Sequence, residues 1–450
     1  MENQFTTSIW GDEGFSAILS MKSLPEIIQV ISRDTSPPLW NITEWFAFQL
    51  FGTSEIVIRS LAFLYFLAAI FFTYKIGKLL WNKKTGILAA ILTFLNPFFF
   101  IYAFEGRMYS IMSLGVAASM YFFLKILYSQ KSDKKDLAGY VIGTLWAIYS
   151  HHFAIFIIFI QGLWFLYKLV AGNRKQVTSL FIGFLLVGVG YLPWLYPLYQ
   201  QTKMVGGGFW LGTPTFKDLV NLIEEYLATG IKHDLSKSAL LLTLIILFLR
   251  KWNKEIQKTL ILLSWFLGPI VLTWLISQVF QSIFFNRYLL YTIPGAMLII
   301  ASERRKINNI ILLLLLPLLL LIDLHYFTHP IKRPFKQLAS YVKQTQKQGD
   351  YLINWNSSSH HLWETKYYDI PAPIYIPEGS GNLPFFVGTA LMEKDDIVRK
   401  SPDSVKRIGV VTSGPVEEIN LPGYTENEVK NFKNTWEGSG EIKFIWYIRE

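Results

Sequence analysis

The chain has 450 residues, 52% of them hydrophobic and only 16% charged, whereas soluble domains carry about a quarter charged residues. The whole excess of positive charge, +10, lies before Leu324, because the residues from Leu324 onward include 15 Lys and Arg and equally 15 Asp and Glu. This composition indicates a membrane protein; it excludes a uniformly basic nucleic-acid binder and, without cysteine, also disulfides and thiolate metal sites.

The first 55 residues precede the first predicted membrane span and are not a simple tail. Apolar residues recur at near-helical spacing from Phe15 to Ile31, with a break at Pro25, and Trp40–Phe51 is again apolar and aromatic. Such segments suit helices lying in the membrane interface, with Trp at headgroup depth. The alternative is a set of helices packed on an outer domain.

Two charged motifs lie in this opening segment. Asp12 and Glu13 form a carboxylate pair within Trp10-Gly-Asp-Glu-Gly-Phe15, and Arg33-Asp34 stands just before Pro37-Pro38. A carboxylate pair followed by a charged Pro-Pro turn indicates a catalytic loop held at a bilayer surface.

Ten membrane spans follow, because repeated apolar runs reach or approach the roughly 17–25 residues that cross a bilayer as a helix. We predict them at residues 56–80, 86–104, 108–128, 137–152, 153–170, 177–199, 237–250, 259–280, 287–302 and 307–324.

Basic residues cluster in every second connecting loop, beginning with the loop after the first span. The clustered cations include Lys75, Lys78, Lys83, Lys84, Lys134, Lys135, Lys168, Arg250, Lys251, Lys258, Arg304, Arg305 and Lys306. By the positive-inside rule these loops are cytoplasmic, and the cation-poor loops and both terminal segments lie outside. We therefore expect a multi-pass protein of the plasma (inner) membrane.

The carboxy-terminal segment reads as a small α/β domain of ordinary polarity. Apolar strand patterns occur at Asp350–Asn354, Arg407–Val411 and Lys443–Tyr447, and a helical pattern covers Phe335–Gln348. The predicted organisation is an outer loop (1–55), a transmembrane helical domain (56–324) and an extracytoplasmic α/β domain (325–450).

Polar residues from distant parts of the sequence lie beside spans on the predicted outer side. They are Asp12, Glu13, Arg33, Asp34, Glu105, Arg107, Tyr109, His151, His152, Asn286, Arg287 and Tyr288. Charged groups at that depth cost several kcal/mol unless they are paired or line a wet cavity. Any one pair can also be an ion pair that ends a helix, and His151-His152 alone fits the capping of a short turn.

This set suits a transfer reaction on a lipid-linked phosphate. A carboxylate can take the proton of an attacking hydroxyl, and arginines can hold a phosphate as it leaves. A divalent cation (Mg or Mn) at Asp12 and Glu13 is a further option, although no ligand spacing of known specificity is present.

Five sequence blocks carry a resemblance to a known family. They are Trp10-Gly-Asp-Glu-Gly-Phe-Ser16, Arg33-Asp-Thr-Ser-Pro-Pro-Leu39, Glu105-Gly-Arg-Met-Tyr-Ser110, Ser150-His-His-Phe153 and Asn286-Arg-Tyr-Leu-Leu290. The chain resembles the integral-membrane glycosyltransferases of the type C fold, specifically the protein O-mannosyltransferase-like family 39 of bacteria and archaea. The last two blocks are weak by themselves, and no block covers the carboxy-terminal domain.

The resemblance implies inverting transfer of a sugar from a polyprenyl-phosphate donor to an acceptor protein, lipid or polysaccharide on the outer face. It implies that Asp12 is the base, with Glu13 beside it, and that Glu105 and Arg107 support the site, Arg107 on the phosphate. The other candidates for substrate or phosphate binding are Asp34, Tyr109, His151, His152, Arg287 and Tyr288.

Two departures from the family pattern stand out. Members that transfer aminoarabinose to lipid A carry a lysine directly before Pro-Pro, where this chain has Ser36, which counts against an aminoarabinose donor. The family also places a membrane helix before the Asp-Glu loop, and Met1–Ile9 is too short and polar to be one. We expect the true start to lie upstream.

Two other function classes compete with a transferase. A transporter or flippase for a lipid-linked glycan would keep ionisable groups near mid-membrane and show repeated halves, whereas the predicted spans are almost free of buried charge and no halves match. A non-enzymatic anchor that presents the outer domain to a partner would leave the clusters around Asp12 and Arg107 unexplained.

Overall fold

The structure is a computed structural model that describes residues 2–128, 133–171, 174–252, 255–355, 361–377, 379, 381, 383–400, 405–434 and 440–450. Internal contacts divide it into two compact units. The first comprises Met1–Asp34, Asn41–Ile58 and Phe327–Glu450, and the second comprises Thr35–Trp40 and Arg59–Tyr326.

Helices dominate the described residues, and the strands are confined to the carboxy-terminal part. The helices are α1 (Gly11–Ser20), α2 (Leu24–Ile31), α3 (Leu39–Phe51), α4 (Glu55–Leu80), α5 (Lys83–Phe94), α6 (Pro97–Ile101), α7 (Tyr109–Tyr128), α8 (Lys134–Ser150), α9 (Ile155–Val170), α10 (Arg174–Tyr191), α11 (Leu195–Gly206), α12 (Phe216–Glu224), α13 (Ser236–Leu249), α14 (Ile256–Val279), α15 (Ile293–Ala301), α16 (Lys306–Thr328), α17 (Phe335–Thr345) and α18 (His361–Tyr367). The strands are β1 (Tyr351–Trp355), β2 (Ile374–Tyr375), β3 (Ile397–Val398), β4 (Arg407–Thr412), β5 (Tyr424–Lys433) and β6 (Glu441–Arg449).

Each of the ten predicted spans falls on a helical segment. By length and apolar composition, 6 helices among the described residues can cross a membrane, or up to 7 if α5 and the segment Pro97–Phe104, bent by 60°, form one span. Ser236–Leu249 and Leu290–Ala301 are shorter apolar helices, and α8 has 17 residues. A polytopic helical membrane protein is confirmed, while the count of ten stays a prediction.

Small residues let α7 and α8 pack closely in the second unit. A Cβ on Gly115 would lie 2.5 Å from the backbone nitrogen of Ala147, so the two backbones nearly touch. Ser119 and Thr144 hydroxyls meet at 2.8 Å across the same interface. Small residues and shared hydrogen bonds are the usual basis of helix association in a membrane, where apolar burial gives no advantage.

The loops predicted to be cytoplasmic contact one another in the second unit. Lys258, at the start of α14, donates a hydrogen bond to the carbonyl of Leu80 and lies 5.9 Å from the ring of Trp81. The backbone N–H of Lys251 donates to the carbonyl of Glu303 at 3.0 Å. Three loops assigned to one face by their charge therefore do share a face.

Two charged side chains are buried within long apolar helices of this unit. Arg59 in α4 is fully buried, and Asp323 in α16 is 2% exposed. The sequence patterns treat the spans as almost free of buried charge, and these two residues correct that picture.

The carboxy-terminal sheet has the order β3-β2-β1-β4-β6-β5, parallel from β3 to β4 and antiparallel at β6 and β5. Ile353, Val410 and Ile445 are paired across β1, β4 and β6 on one face, and α17 covers the other face through residues such as Leu338. Both faces are buried, as is usual for parallel strands joined by crossovers. The predicted small α/β domain is confirmed.

Segment 1–55 forms three helices with different surroundings. In the first unit, α1 packs against α18, which is the arrangement of a helix on the carboxy-terminal domain. Helix α3 instead leaves Phe46, Leu50 and Phe51 more than half exposed, as suits a helix at a membrane interface.

Candidate active site

The Asp-Glu pair occupies the first turn of α1 in the first unit. Glu13 is fully buried, its carboxylate accepts a hydrogen bond from the Trp10 backbone N–H at 3.4 Å, and it lies 2.9 Å from the ammonium of Lys332. Acidic side chains at a helix start are favoured by the partial positive charge there. Asp12, in the same turn, is only partly buried.

Asp34 lies just after α2 in the same unit. Its backbone N–H donates to the carbonyl of Ile31 at 3.2 Å, and its side chain is buried. Asp34 thus lies in the turn that follows α2, and its predicted role in substrate binding stays a prediction.

The second unit contains the Glu105-Gly106-Arg107 hinge at the start of α7. Glu105 is buried, and the Arg107 backbone N–H donates to the Glu105 carbonyl at 2.7 Å, which closes a tight turn. Ser110 ties the first turn of α7 to the carbonyl of Tyr102 at 2.6 Å. The hinge is therefore an ordered turn, and it fixes the Cα positions of Glu105 and Arg107.

Aromatic rings and an arginine from three separate segments meet next to this hinge. The ring of His151 lies 5.0 Å from that of Tyr288, and Tyr109 stacks over Tyr288 with centroids 6.4 Å apart. The guanidinium of Arg287 lies 5.7 Å from the Tyr109 ring and 5.1 Å from that of Phe285. We call Tyr109, His151, Arg287 and Tyr288 the aromatic cluster.

Arg107 and Glu105 act electrostatically on this same region. Arg107 and Arg287 are both close enough to influence the charge of His151, while Glu105 and Arg287 both influence the Tyr102 hydroxyl. Two guanidinium groups whose charges reach the same buried imidazole favour an anion, because each offers planar donors that match phosphate oxygens.

Polar contacts hold the segment that carries Arg287. The hydroxyl of Tyr226 donates to the carbonyl of Asn286, whose side-chain amide donates to Glu225 at 3.3 Å. Glu225 and Tyr226 lie in a π-helical turn, Glu225–Thr229, which is anchored by the Asn96 amide on the Tyr226 carbonyl at 2.8 Å. Burial raises the pKa of Glu225, so its charged form is disfavoured.

His152 has different surroundings from His151. Its ring nitrogens lie 3.2 Å from the Tyr191 hydroxyl and 2.7 Å from the side-chain oxygen of Gln201, and the Gln201 amide donates to the Ser36 carbonyl at 3.3 Å. Through these partners, His152 holds the turn between α8 and α9 and, by way of Gln201, the loop that contains Pro37-Pro38.

The donor set around Asp12 and Glu13 does not fit a divalent cation. Across the part of the chain that the structure describes, no group of three or more His, Cys, Asp or Glu side chains is placed to hold a metal ion. The ammonium of Lys332 at 2.9 Å from Glu13 would also repel a cation there.

Local sequence patterns do not reveal three residues that contact the candidate side chains. In the second unit, Tyr102 packs edge-on against Tyr109 at 5.1 Å and Glu225 accepts from the Asn286 amide. In the first unit, Lys332 pairs with Glu13 from 319 positions away. Tyr102 could have been predicted from the sequence, because it lies just before the Glu-Gly-Arg hinge. Nothing in the local sequence indicates that Lys332 has a role.

Comparison with known proteins supports the resemblance. Residues 35–197 match the family described as dolichyl-phosphate-mannose-protein mannosyltransferase. None of the curated protein sequences is detectably similar to this chain.

Solved structures with the same fold include ArnT from Cupriavidus metallidurans bound to undecaprenyl phosphate. It has a TM-score of 0.60 at 11% identity, covering 97% of this chain and 94% of that one; its apo state has a TM-score of 0.57 at 11% identity, covering 91% and 89%. An oligosaccharyltransferase from Archaeoglobus fulgidus, in complex with Zn and sulfate, has a TM-score of 0.51 at 14% identity, covering 84% of this chain and 59% of that one. These likenesses confirm the predicted type C glycosyltransferase fold.

Proposed function

We propose that this protein is an inverting glycosyltransferase that moves a sugar from a polyprenyl-phosphate donor to an acceptor hydroxyl. The observation that carries the proposal is the position of Arg287 over the rings of Tyr109 and Tyr288, in a cluster that includes His151. Arg107 lies on the hinge just before Tyr109 and is proposed as the second phosphate ligand. Guanidinium groups hold a phosphate, and aromatic faces suit a sugar ring. The matched mannosyltransferase family and the ArnT-like fold support an enzyme of this kind.

The proposed reaction divides its work over distinct groups of this chain. Asp12 takes the proton of the acceptor hydroxyl as that oxygen bonds to the anomeric carbon. The bond from this carbon to the phosphate oxygen breaks, and the lipid phosphate leaves with the electron pair. Arg107 and Arg287 stabilise the negative charge on the leaving phosphate, which is where electrostatic catalysis contributes most.

The donor and the acceptor are proposed only by chemical class. ArnT is solved with undecaprenyl phosphate, which supports a polyprenyl-phosphate donor. Ser36 stands where aminoarabinose transferases carry lysine, so we propose a donor sugar other than aminoarabinose. The acceptor is a protein, lipid or polysaccharide at the outer face of the plasma membrane, where we also place the carboxy-terminal domain.

Replacing Asp12 with Asn tests the base. We expect D12N to lower sugar transfer by roughly 10³-fold or more with insertion and expression unchanged, because an amide cannot take a proton at neutral pH. The measurement is transfer by purified protein in detergent from polyprenyl-phosphate sugars to cell-envelope acceptors. Transfer in detergent, with no second compartment, also separates a transferase from a flippase.

The matched control is Asp234→Asn, which changes an exposed carboxylate in a loop of the second unit. It should retain full transfer. Near-normal transfer by D12N would remove Asp12 as the base, and absence of transfer by the unaltered protein with every polyprenyl-phosphate sugar would refute the function itself.

A further inference from the structure

We propose that Lys332, from the carboxy-terminal domain, is a positioning residue that sets the first turn of α1 and hence Asp12, by way of Glu13. The inference rests on the proposed function and gives the carboxy-terminal domain a task within it. All of the contacts that carry it lie within the first unit.

The ion pair between Glu13 and Lys332 is enclosed by protein. The carboxylate of Glu13 is 0% exposed and the side chain of Lys332 is 13% exposed, with 2.9 Å from Nζ to Oε2. A carboxylate buried in this way is strongly disfavoured unless a cation and hydrogen bonds compensate it. Lys332 supplies the cation, and the Trp10 backbone N–H supplies a hydrogen bond.

The backbone of Lys332 is itself fixed. The side-chain amide of Asn434 donates to the Lys332 carbonyl at 2.9 Å and to the Pro330 carbonyl at 3.3 Å. The ammonium is thus presented from an anchored stretch just before α17, so the pair locates Glu13 rather than following it.

The rest of α1 is seated on the same domain. A Cβ on Gly14 would lie 2.9 Å from the carbonyl of Trp363 in α18, and the ring of Phe15 packs edge-on against the Trp363 ring at 5.3 Å. Just upstream, the Ile9 backbone N–H donates to the Tyr368 hydroxyl at 2.9 Å. These contacts fix the body of the helix, and Lys332 fixes its first turn.

This arrangement assigns different tasks to the two adjacent carboxylates. Glu13 is committed to Lys332 and to the cap of α1, whereas the partly buried Asp12 in the same turn is the one proposed to exchange a proton. Loss of the Lys332 charge leaves Glu13 buried beside Asp12 without this cation, which disturbs both the turn and its electrostatics.

The test compares Lys332→Met with Lys332→Arg in the complete protein. We expect K332M to lower kcat about 30-fold with little change in the donor KM, and K332R to recover to within about threefold, because arginine restores the charge. The matched control is Lys22→Met, which removes the exposed ion pair of Lys22 with Glu393 at 3.0 Å in the same unit. K22M should keep the unaltered kcat.

A pH profile separates positioning from mere stability. In K332M the buried Glu13 should bind a proton more readily, so the kcat deficit should shrink as the pH falls. The double variant E13Q/K332M should transfer faster than K332M and lack this pH dependence. An unaltered kcat in K332M, or equal losses in K332M and K22M, would overturn the proposal.

Amide hydrogen exchange keeps the inference testable if the proposed function fails. Exchange at residues 11–20 should quicken in K332M and not in K22M, whatever reaction the protein catalyses. Unchanged exchange there would refute the positioning role, while absence of sugar transfer by the unaltered protein would refute only the function.

Discussion

At the residue scale, the guanidinium of Arg287 combines two kinds of contact. It lies over the rings of Tyr109 and Phe285, and its charge acts on His151. A planar guanidinium can stack on a ring and still present in-plane donors to a phosphate, which a lysine ammonium cannot do.

Arg287→Lys should therefore keep the positive charge but lose the planar group that stacks on the rings and presents paired donors to a phosphate. We expect the donor KM to rise about tenfold, and Arg107→Ala to weaken donor use by a similar or larger factor. Steady-state kinetics with a polyprenyl-phosphate sugar measure both. Arg305→Lys, an exposed change on a predicted cytoplasmic loop, is the control; donor kinetics unchanged in R287K and R107A would reject the phosphate role.

Local sequence patterns identify side chains next to a recognisable turn, but they do not reveal contact partners that are distant in the sequence. Tyr109, His151 and Arg287 could be predicted because each lies at the end of an apolar run, where a polar group needs a reason. Lys332 could not, because its partner Glu13 lies 319 positions away and no periodicity joins them.

At the element scale, α1 depends on a close approach of backbones. The Cα of Gly14 faces the carbonyl of Trp363, and Gly388, with φ of +89°, leaves room for the ring of Phe15. Glycine is the residue that permits such approaches and such backbone angles. The packing of α1 against α18 thus explains why position 14 of the Asp-Glu motif is a glycine.

Gly14→Ala should displace α1 from α18. A methyl group 2.9 Å from backbone atoms cannot be accommodated by a side-chain rotation, so we expect at least a tenfold loss of transfer and faster exchange at residues 11–20. Gly162→Ala is the matched control, because a Cβ there meets nothing within 4 Å and alanine favours a helix. Normal transfer by G14A would show that α1 tolerates the shift.

Helices were more accessible to sequence reasoning than their arrangement. Apolar runs flanked by basic loops indicate α4, α7 and α14 directly, whereas the position of β4 beside β1 depends on long-range pairing such as Ile353 with Val410. Strand patterns indicate that a strand exists, but its neighbours are set by crossovers that no local pattern records.

At the scale of the whole molecule, the sequence assigns loops to two membrane faces from charge alone. The contacts of Lys258 with Leu80 and of Lys251 with Glu303 agree with that grouping. Which of the two faces is cytoplasmic stays a prediction.

Single cysteines can decide the sidedness, because the natural chain has none. We expect Lys203→Cys and Glu418→Cys to react with a membrane-impermeant maleimide in intact cells, and Lys84→Cys to react only after the membrane is opened. All three positions are exposed. The reverse pattern would invert the topology and place the proposed chemistry on the cytoplasmic side.

The first unit is assembled from the two ends of the chain, and this has a consequence for biosynthesis. Helix α1 leaves the ribosome early, while α18 and Lys332 follow every apolar helix of the second unit. Amino-terminal segments are made first, so α1 is synthesised well before α18 and Lys332 are available to pack against it. Nascent chains halted before Lys332 should therefore carry inserted helices but an α1 whose first turn lacks the Glu13–Lys332 ion pair.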